Sequence, residues 1–172
     1  FDQAELVVGI CAKGIADSYS NKDMKDLTEW LQRPQIGAKG LVYVKYQADG
    51  IKSTVGKFYS DEELKSWGER FGVEEGDVLF ILSGEKEKTR KQLNELRLEL
   101  GRKLGLMKTG DFKPLWVVNF PLLEWDEDAN RFFAMHHPFT SPKQEDIPRM
   151  LSGDHETMKS LRADAYDLVI NG

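Results

Sequence analysis

The residues best suited to chemistry sit in one short segment, Ala134-Met135-His136-His137-Pro138-Phe139-Thr140, where two histidines stand side by side just before a proline. Three readings are open for it. One ring could be buried and hydrogen-bonded while the other is exposed. The pair could instead hold a metal ion, or line a substrate pocket. Neighbouring side chains on a strand point to opposite faces, so one ion could take both rings only if the strand breaks there, which weighs against a metal.

Other reactive residue types have ordinary explanations. Cys11 ends the apolar run Leu6-Val7-Val8-Gly9-Ile10-Cys11, where a small buried thiol is the default and no cationic neighbour marks a nucleophile. Gly14, Gly37, Gly40 and Gly50 are irregularly spaced and never open a helix in a phosphate-binding pattern. Asp126 and Asp128 fall in an expected turn, where aspartate is favoured for turn chemistry. Between Glu85 and Leu104, basic residues such as Lys88, Lys91 and Arg97 could meet RNA phosphates. Glu87, Glu95 and Glu99 are interspersed with them, which is the pattern of a solvated helix face laced with i,i+4 pairs.

The elements that must position these residues follow from local patterns. After the first apolar strand, Ser18 to Asn21 offers helix caps, and Met24, Leu27, Trp30 and Leu31 recur at helical spacing until Pro34. Leu41 to Tyr46 is rich in β-formers, and Asp49-Gly50 leads into a second strand from Ile51 to Phe58, a hairpin signal. Ser60 with Glu63 makes a capping box, Tyr59 can staple onto Leu64, and Gly72 ends the helix. A strand from Asp77 to Leu82 precedes a helix from Glu85 to Leu104, with Leu93, Leu96, Leu100 and Leu104 along one stripe. This β-α-β-β-α-β-α order predicts an α+β unit, a small antiparallel sheet with helices on one face. Its edge is expected near Thr109-Gly110-Asp111, giving one domain at 1–112 and a second at 113–172. The second opens with Leu115 to Phe120 as a strand, a polar turn at 126–130 and a returning strand from Arg131 to Met135, read as one long hairpin. Ser141 to Ser160 is polar with two prolines and reads as a mobile loop. The apolar end, Ala165 to Ile170, has no evident partner strand in what remains.

Composition sets the outer bounds. With 40% hydrophobic residues, including four Trp and nine Phe, the 172-residue chain can build a core and is not disordered. A net charge of −5, with 24 Lys and Arg scattered among 29 Asp and Glu, provides no global field for nucleic acid or an anionic membrane, so any RNA contact must be local. A single cysteine rules out an intrachain disulfide and suits a reducing cytoplasm. No apolar run approaches the roughly 20 residues of a helical membrane span. A start at Phe1 within five residues of a strand, and an apolar end, are those expected of an interior piece of a larger enzyme.

Pro114-Leu115-Trp116-Val117-Val118-Asn119-Phe120-Pro121, then Ala134 to Lys143, then Ala165-Tyr166-Asp167-Leu168-Val169-Ile170-Asn171-Gly172, closely resemble bacterial-type aspartyl-tRNA synthetase in the right succession. Residues 1 to about 110 resemble the GAD domain inserted in those enzymes, through Gly37-Ala38-Lys39-Gly40-Leu41 and Leu96-Arg97-Leu98. The resemblance implies a class II synthetase that activates aspartate with ATP and Mg2+ and passes it to tRNA(Asp), acting as a homodimer, with 113–172 a part of its antiparallel catalytic sheet. It also implies that His136 and His137 line the aspartate and adenylate pocket, with Asp167 close behind. A histidine beside a substrate carboxylate is favoured in its protonated form and donates a charge-assisted hydrogen bond, which would reject asparagine. The family's ATP-clamping arginines and its acidic, glycine-rich run are not among these residues. The isolated chain is therefore expected to be inactive, to hold no bound cofactor, and to self-associate through exposed strand edges. An alternative is a tRNA- or protein-binding GAD module of a tRNA-dependent amidotransferase subunit, which would leave the His136-His137-Pro138-Phe139 segment without a purpose.

Overall fold

A computed structural model describes residues 3–108 and 110–171. Phe1, Gly172 and Thr109 of the expected boundary lie outside the described residues. The chain divides into two compact units, residues 1–107 and 108–172.

The first unit contains β1 (Leu6–Ala12), α1 (Asn21–Leu31), β2 (Val42–Gln47), β3 (Gly50–Ser53), α2 (Asp61–Arg70), β4 (Val78–Gly84) and α3 (Lys86–Lys103). The order is the expected β-α-β-β-α-β-α, and the strands form an antiparallel sheet in the order β1-β4-β2-β3. Local chemistry starts and stops the helices. Ser20 and Ser60 each accept from the backbone N–H three residues on, while Asp23 and Glu63 reach back to the serine N–H, both at 2.8 Å. Two orphan donors are thus satisfied at each helix start. Gly72 (φ 60°) and Gly105 (φ 64°) then take the left-handed conformation just past α2 and α3.

The hairpin forms with Gln47 opposite Gly50, so its two-residue loop is Ala48-Asp49. Gly50 enters β3 at φ 128°, a backbone state that side chains disfavour. β3 ends at Ser53 and does not continue to Phe58 as expected. The Ser53 hydroxyl accepts from Val55 N–H at 3.1 Å and the chain turns, leaving Phe58 exposed.

The sheet is covered on both faces, which corrects the expectation of helices on one face while leaving the α+β class intact. Along β4, Val78, Phe80 and Leu82 pack with Met24, Leu27 and Leu31 of α1 and Leu96 and Leu100 of α3. The alternate residues Leu79 and Ile81 pack with Val44 and with Leu64 and Trp67 of α2 on the other side. A central strand apolar at five successive positions, Val78 to Leu82, is what two covered faces require. β1, expected as a buried strand, is an edge strand with Val7 47% exposed.

The second unit contains β5 (Pro114–Val118), β6 (Leu123–Asp126), β7 (Arg131–Ala134), a 3-10 turn (Gln144–Asp146), α4 (Ile147–Ser152), α5 (His155–Lys159) and β8 (Tyr166–Ile170). The expected long hairpin is not formed. β6 pairs with β7 in a short one, and β5 pairs antiparallel with β8, from Pro114 opposite Ile170 to Val118 opposite Tyr166. Asn119 at φ 61° turns the chain out of β5, and Pro121, which has no N–H to continue a ladder, bridges to Arg162. The apolar C-terminal segment therefore does have a partner strand. The stretch 141–160 is helical in part rather than a featureless loop: Asp154 caps α5, accepting from Thr157 N–H at 2.8 Å. Leu122, Leu161 and Ala163 form the buried centre of this unit.

Candidate functional site

His136 and His137 stand two and three residues past the end of β7, at a bend where the strand's alternation no longer applies. The chain is held there by Met135 N–H donating to Leu122 O at 3.1 Å, and Leu122 in turn donates to Leu161 O at 2.9 Å. The β5 exit, the β7 exit and the segment 161–163 are thereby fastened together. The His136 ring lies edge-on to Phe120, with centroids 5.2 Å apart. Its Nε2 is buried and has no hydrogen-bond partner among the described residues. A buried ring nitrogen left unpaired costs about 1–3 kcal/mol, so this atom is suited to a hydrogen-bond partner from outside the described residues.

His137 is exposed and oriented differently. Its Nδ1 accepts from Phe139 N–H at 3.2 Å, and its ring packs on Phe139 at 4.9 Å. That acceptor role places the proton of a neutral ring on Nε2. Asp167 is exposed on β8, directly across from Val117. Among the described residues no hydrogen bond joins His136, His137 and Asp167 to one another, and no group of three or more His, Cys, Asp or Glu could hold a metal ion.

Two features in this unit escaped the sequence reading. Asp146 is 1% exposed and accepts from Arg162 Nε and Nη2, both at 2.9 Å, from Arg162 N–H at 2.9 Å, and from Arg149 at 3.3 Å. The Arg162 guanidinium, working against burial, holds this carboxyl down at about 2. Asp146 and Arg149 are separated by three residues, a helical pairing signal, but Arg162 comes from 16 residues away and is not legible locally. Trp125, Phe132 and His155 form a second cluster, with His155 4.4 Å from Trp125 and 5.1 Å from Phe132.

In the first unit Cys11 is chemically quiet. Burial, with Asp77 beside it, pushes its thiol up to about 11, so it carries no thiolate at neutral pH. Burial would raise Asp77 as well. Lys13 at 2.8 Å and the amides of Glu74 and Gly14 outweigh it and hold the carboxyl below its usual range. The basic residues of α3 are largely paired on their own helix: Lys88 with Glu85, Arg90 with Glu87, and Arg102 and Lys103 with Glu99. They form a solvated face, as the interspersed acids suggested.

Comparison with known proteins connects both units. The GAD domain family matches residues 1–101. Over the whole chain there is 53% identity to the aspartate–tRNA ligase of Flavobacterium psychrophilum, and 55% to those of Parabacteroides distasonis and Porphyromonas gingivalis. All of this chain and 29% of each of those proteins is covered. The chain thus spans less than a third of the length of the relatives it matches, and on the family match it belongs to the GAD domain family.

Proposed function

We propose that this chain is a section of an aspartate–tRNA ligase, a cytoplasmic homodimer that activates aspartate with ATP and transfers it to tRNA(Asp). One observation carries the reading: identity of 53–55% to proteins of that name runs through both units, well past the GAD match. An amidotransferase module accounts only for the first unit. The GAD portion is taken to extend to residue 112 and the catalytic-domain portion from 113. The family match ending at 101 and the compact first unit ending at 107 are compatible with that division.

Within the reaction, His136 is assigned to the aspartate pocket. Its buried, unpaired Nε2 is positioned to donate to an incoming carboxylate, and the Phe120 edge holds the ring in place. A hydrogen bond of this kind to a carboxylate favours aspartate over asparagine, whose side-chain amide carries no charge. His137 and Asp167 are assigned to the surroundings of the same pocket, His137 oriented by Phe139 and Asp167 by its place on β8. Mg2+ would offset phosphate charge when bound. Among the described residues no group of three or more His, Cys, Asp or Glu comes together to hold it.

On this reading the 172-residue chain alone neither adenylates aspartate nor charges tRNA. It self-associates through the β5–β8 pair, whose Trp116 and Tyr166 are 60% and 69% exposed. ATP–pyrophosphate exchange is the test. No aspartate-dependent exchange is expected with this chain, and clear exchange with the longer gene product that contains it. Exchange driven by a different amino acid, or none with the longer protein, would refute the assignment.

A further inference from the structure

On the α2 face of the four-stranded sheet, a groove of about 540 Å3 lies between the last turns of α2 and the β1 edge, lined by Val7, Val8, Trp67, Arg70, Phe71 and Ile81. Gly9 of β1 lies against the ring of Phe71, one of the lining residues. A Cβ there would come 2.8 Å from Phe80 O and 3.1 Å from the Phe71 ring, so only the bare backbone lets that ring lie against the strand. Val7 and Phe71 remain 47% and 39% exposed.

β1 beside this groove is the outermost strand of its sheet. Its seven residues, LVVGICA, contain no charge and no proline. Edge strands are usually protected from pairing by lysine, proline, bulges or shortness, and β1 has no such residue. Among the described residues its backbone hydrogen bonds run only to β4. At the lip of the groove, Arg70 has no carboxylate partner among the described residues. The neighbouring cation Lys13 is already engaged by Asp77 at 2.8 Å and by Gly72 O at 2.7 Å.

We propose that the β1 edge and this groove are a docking site for an extended peptide segment of a partner protein. The segment adds to the sheet as a fifth strand, places a large apolar side chain between Val7 and Phe71, and brings a carboxylate to Arg70. Strand addition supplies main-chain hydrogen bonds, while alternate side chains supply selectivity. Residues two apart on a strand share a face at about 6.6–6.8 Å spacing, so the apolar residue and the acid should stand at positions i and i+2. A guanidinium in the open is well shaped to take a carboxylate through two bonds. A second copy of β1 carries no acid of its own, and Glu5 just before it already accepts from Lys86 N–H at 3.1 Å, which favours a foreign, acidic segment.

The test uses the full 172-residue chain, dilute, and a phage-displayed library of random octapeptides, followed by NMR titration with the most enriched sequence made synthetically. The expected result is enrichment of a large apolar residue with Asp or Glu two positions away, and amide shifts confined to residues 6–12 and 67–71. Arg70→Glu should weaken that peptide by about ten-fold or more, Arg70→Gln by less, and Val7→Lys should block the edge. Both positions are exposed, so the variants should fold. No enrichment, shifts elsewhere, or affinity unchanged by Arg70→Glu would overturn the proposal. So would concentration-dependent protection of the β1 amides without peptide, which assigns the edge to a second copy.

Discussion

Replacing a helical glycine by alanine ordinarily stabilises a helix by about 0.8–1.0 kcal/mol, and this chain offers two such positions with opposite surroundings. Gly101 in α3 has room: an added Cβ would meet only Met107 Cγ at 3.9 Å, an ordinary contact. Gly68 in α2 is buried against the Tyr46 ring, where a Cβ would come 2.8 Å from Cε1, 3.0 Å from Cζ and 3.1 Å from the hydroxyl oxygen. The ring cannot simply swing away, because its hydroxyl donates to Leu64 O at 2.6 Å and it packs among Val44, Leu79 and Ile81. Overpacking costs about 1–3 kcal/mol, and loosening that hydrogen bond about 0.5–1.5 kcal/mol more. Set against the helical gain, Gly68→Ala should destabilise the first unit by about 1–3 kcal/mol, while Gly101→Ala should stabilise it by about 1 kcal/mol. Urea denaturation followed by hydrogen exchange of the central β4 amides measures both without interference from the second unit. If Gly68→Ala gains as much as Gly101→Ala, the close fit of α2 on Tyr46 is wrong, and so is the placement of α2 on its own face of the sheet.

Other predictions follow from the same contacts. Ser20→Ala and Ser60→Ala each remove one half of a capping box and should each cost about 1 kcal/mol, additively because the two helices pack on opposite faces; the β4 exchange assay reads this too. The Asp146 carboxyl sits at about 2 when folded, against an ordinary 3.8. Its contribution to stability is therefore complete above about pH 4 and is lost as pH falls toward 2. Asp146→Asn should flatten the acid side of the second unit's unfolding curve, and an unchanged curve would mean the Arg162 pairing is absent in solution. On the proposed assignment, His136→Ala in a longer aspartate–tRNA ligase containing this chain should raise KM for aspartate and narrow discrimination against asparagine by about ten-fold or more. Equal losses for both amino acids would remove His136 from the pocket.

Much of the first unit could be read locally, because its determinants are local. Ser60 and Glu63, Ser20 with its following helix, the leucine stripe of α3 and the terminating Gly72 and Gly105 all act within a few residues. What chain order could not show was the face each helix takes. The signal was there, since β4 reads Val78-Leu79-Phe80-Ile81-Leu82 without a polar interruption, but it says only that both faces are covered and not by which helix.

In the second unit the determinants are distant. β5 and β8 are separated by almost the entire unit, and their pairing depends on the turn at Asn119 and the bridge from Pro121 to Arg162 rather than on any hairpin signal. The histidine pair was visible as residue types, and the resemblance suggested its purpose. Only the folded chain shows that the two rings part company, His136 against Phe120 with its Nε2 enclosed and unpaired, His137 outward on Phe139. Caps and periodic stripes are settled by neighbours along the chain. Strand partners, helix faces and the enclosure of a single nitrogen are settled by which distant segments exclude water together, and that is decided only in three dimensions.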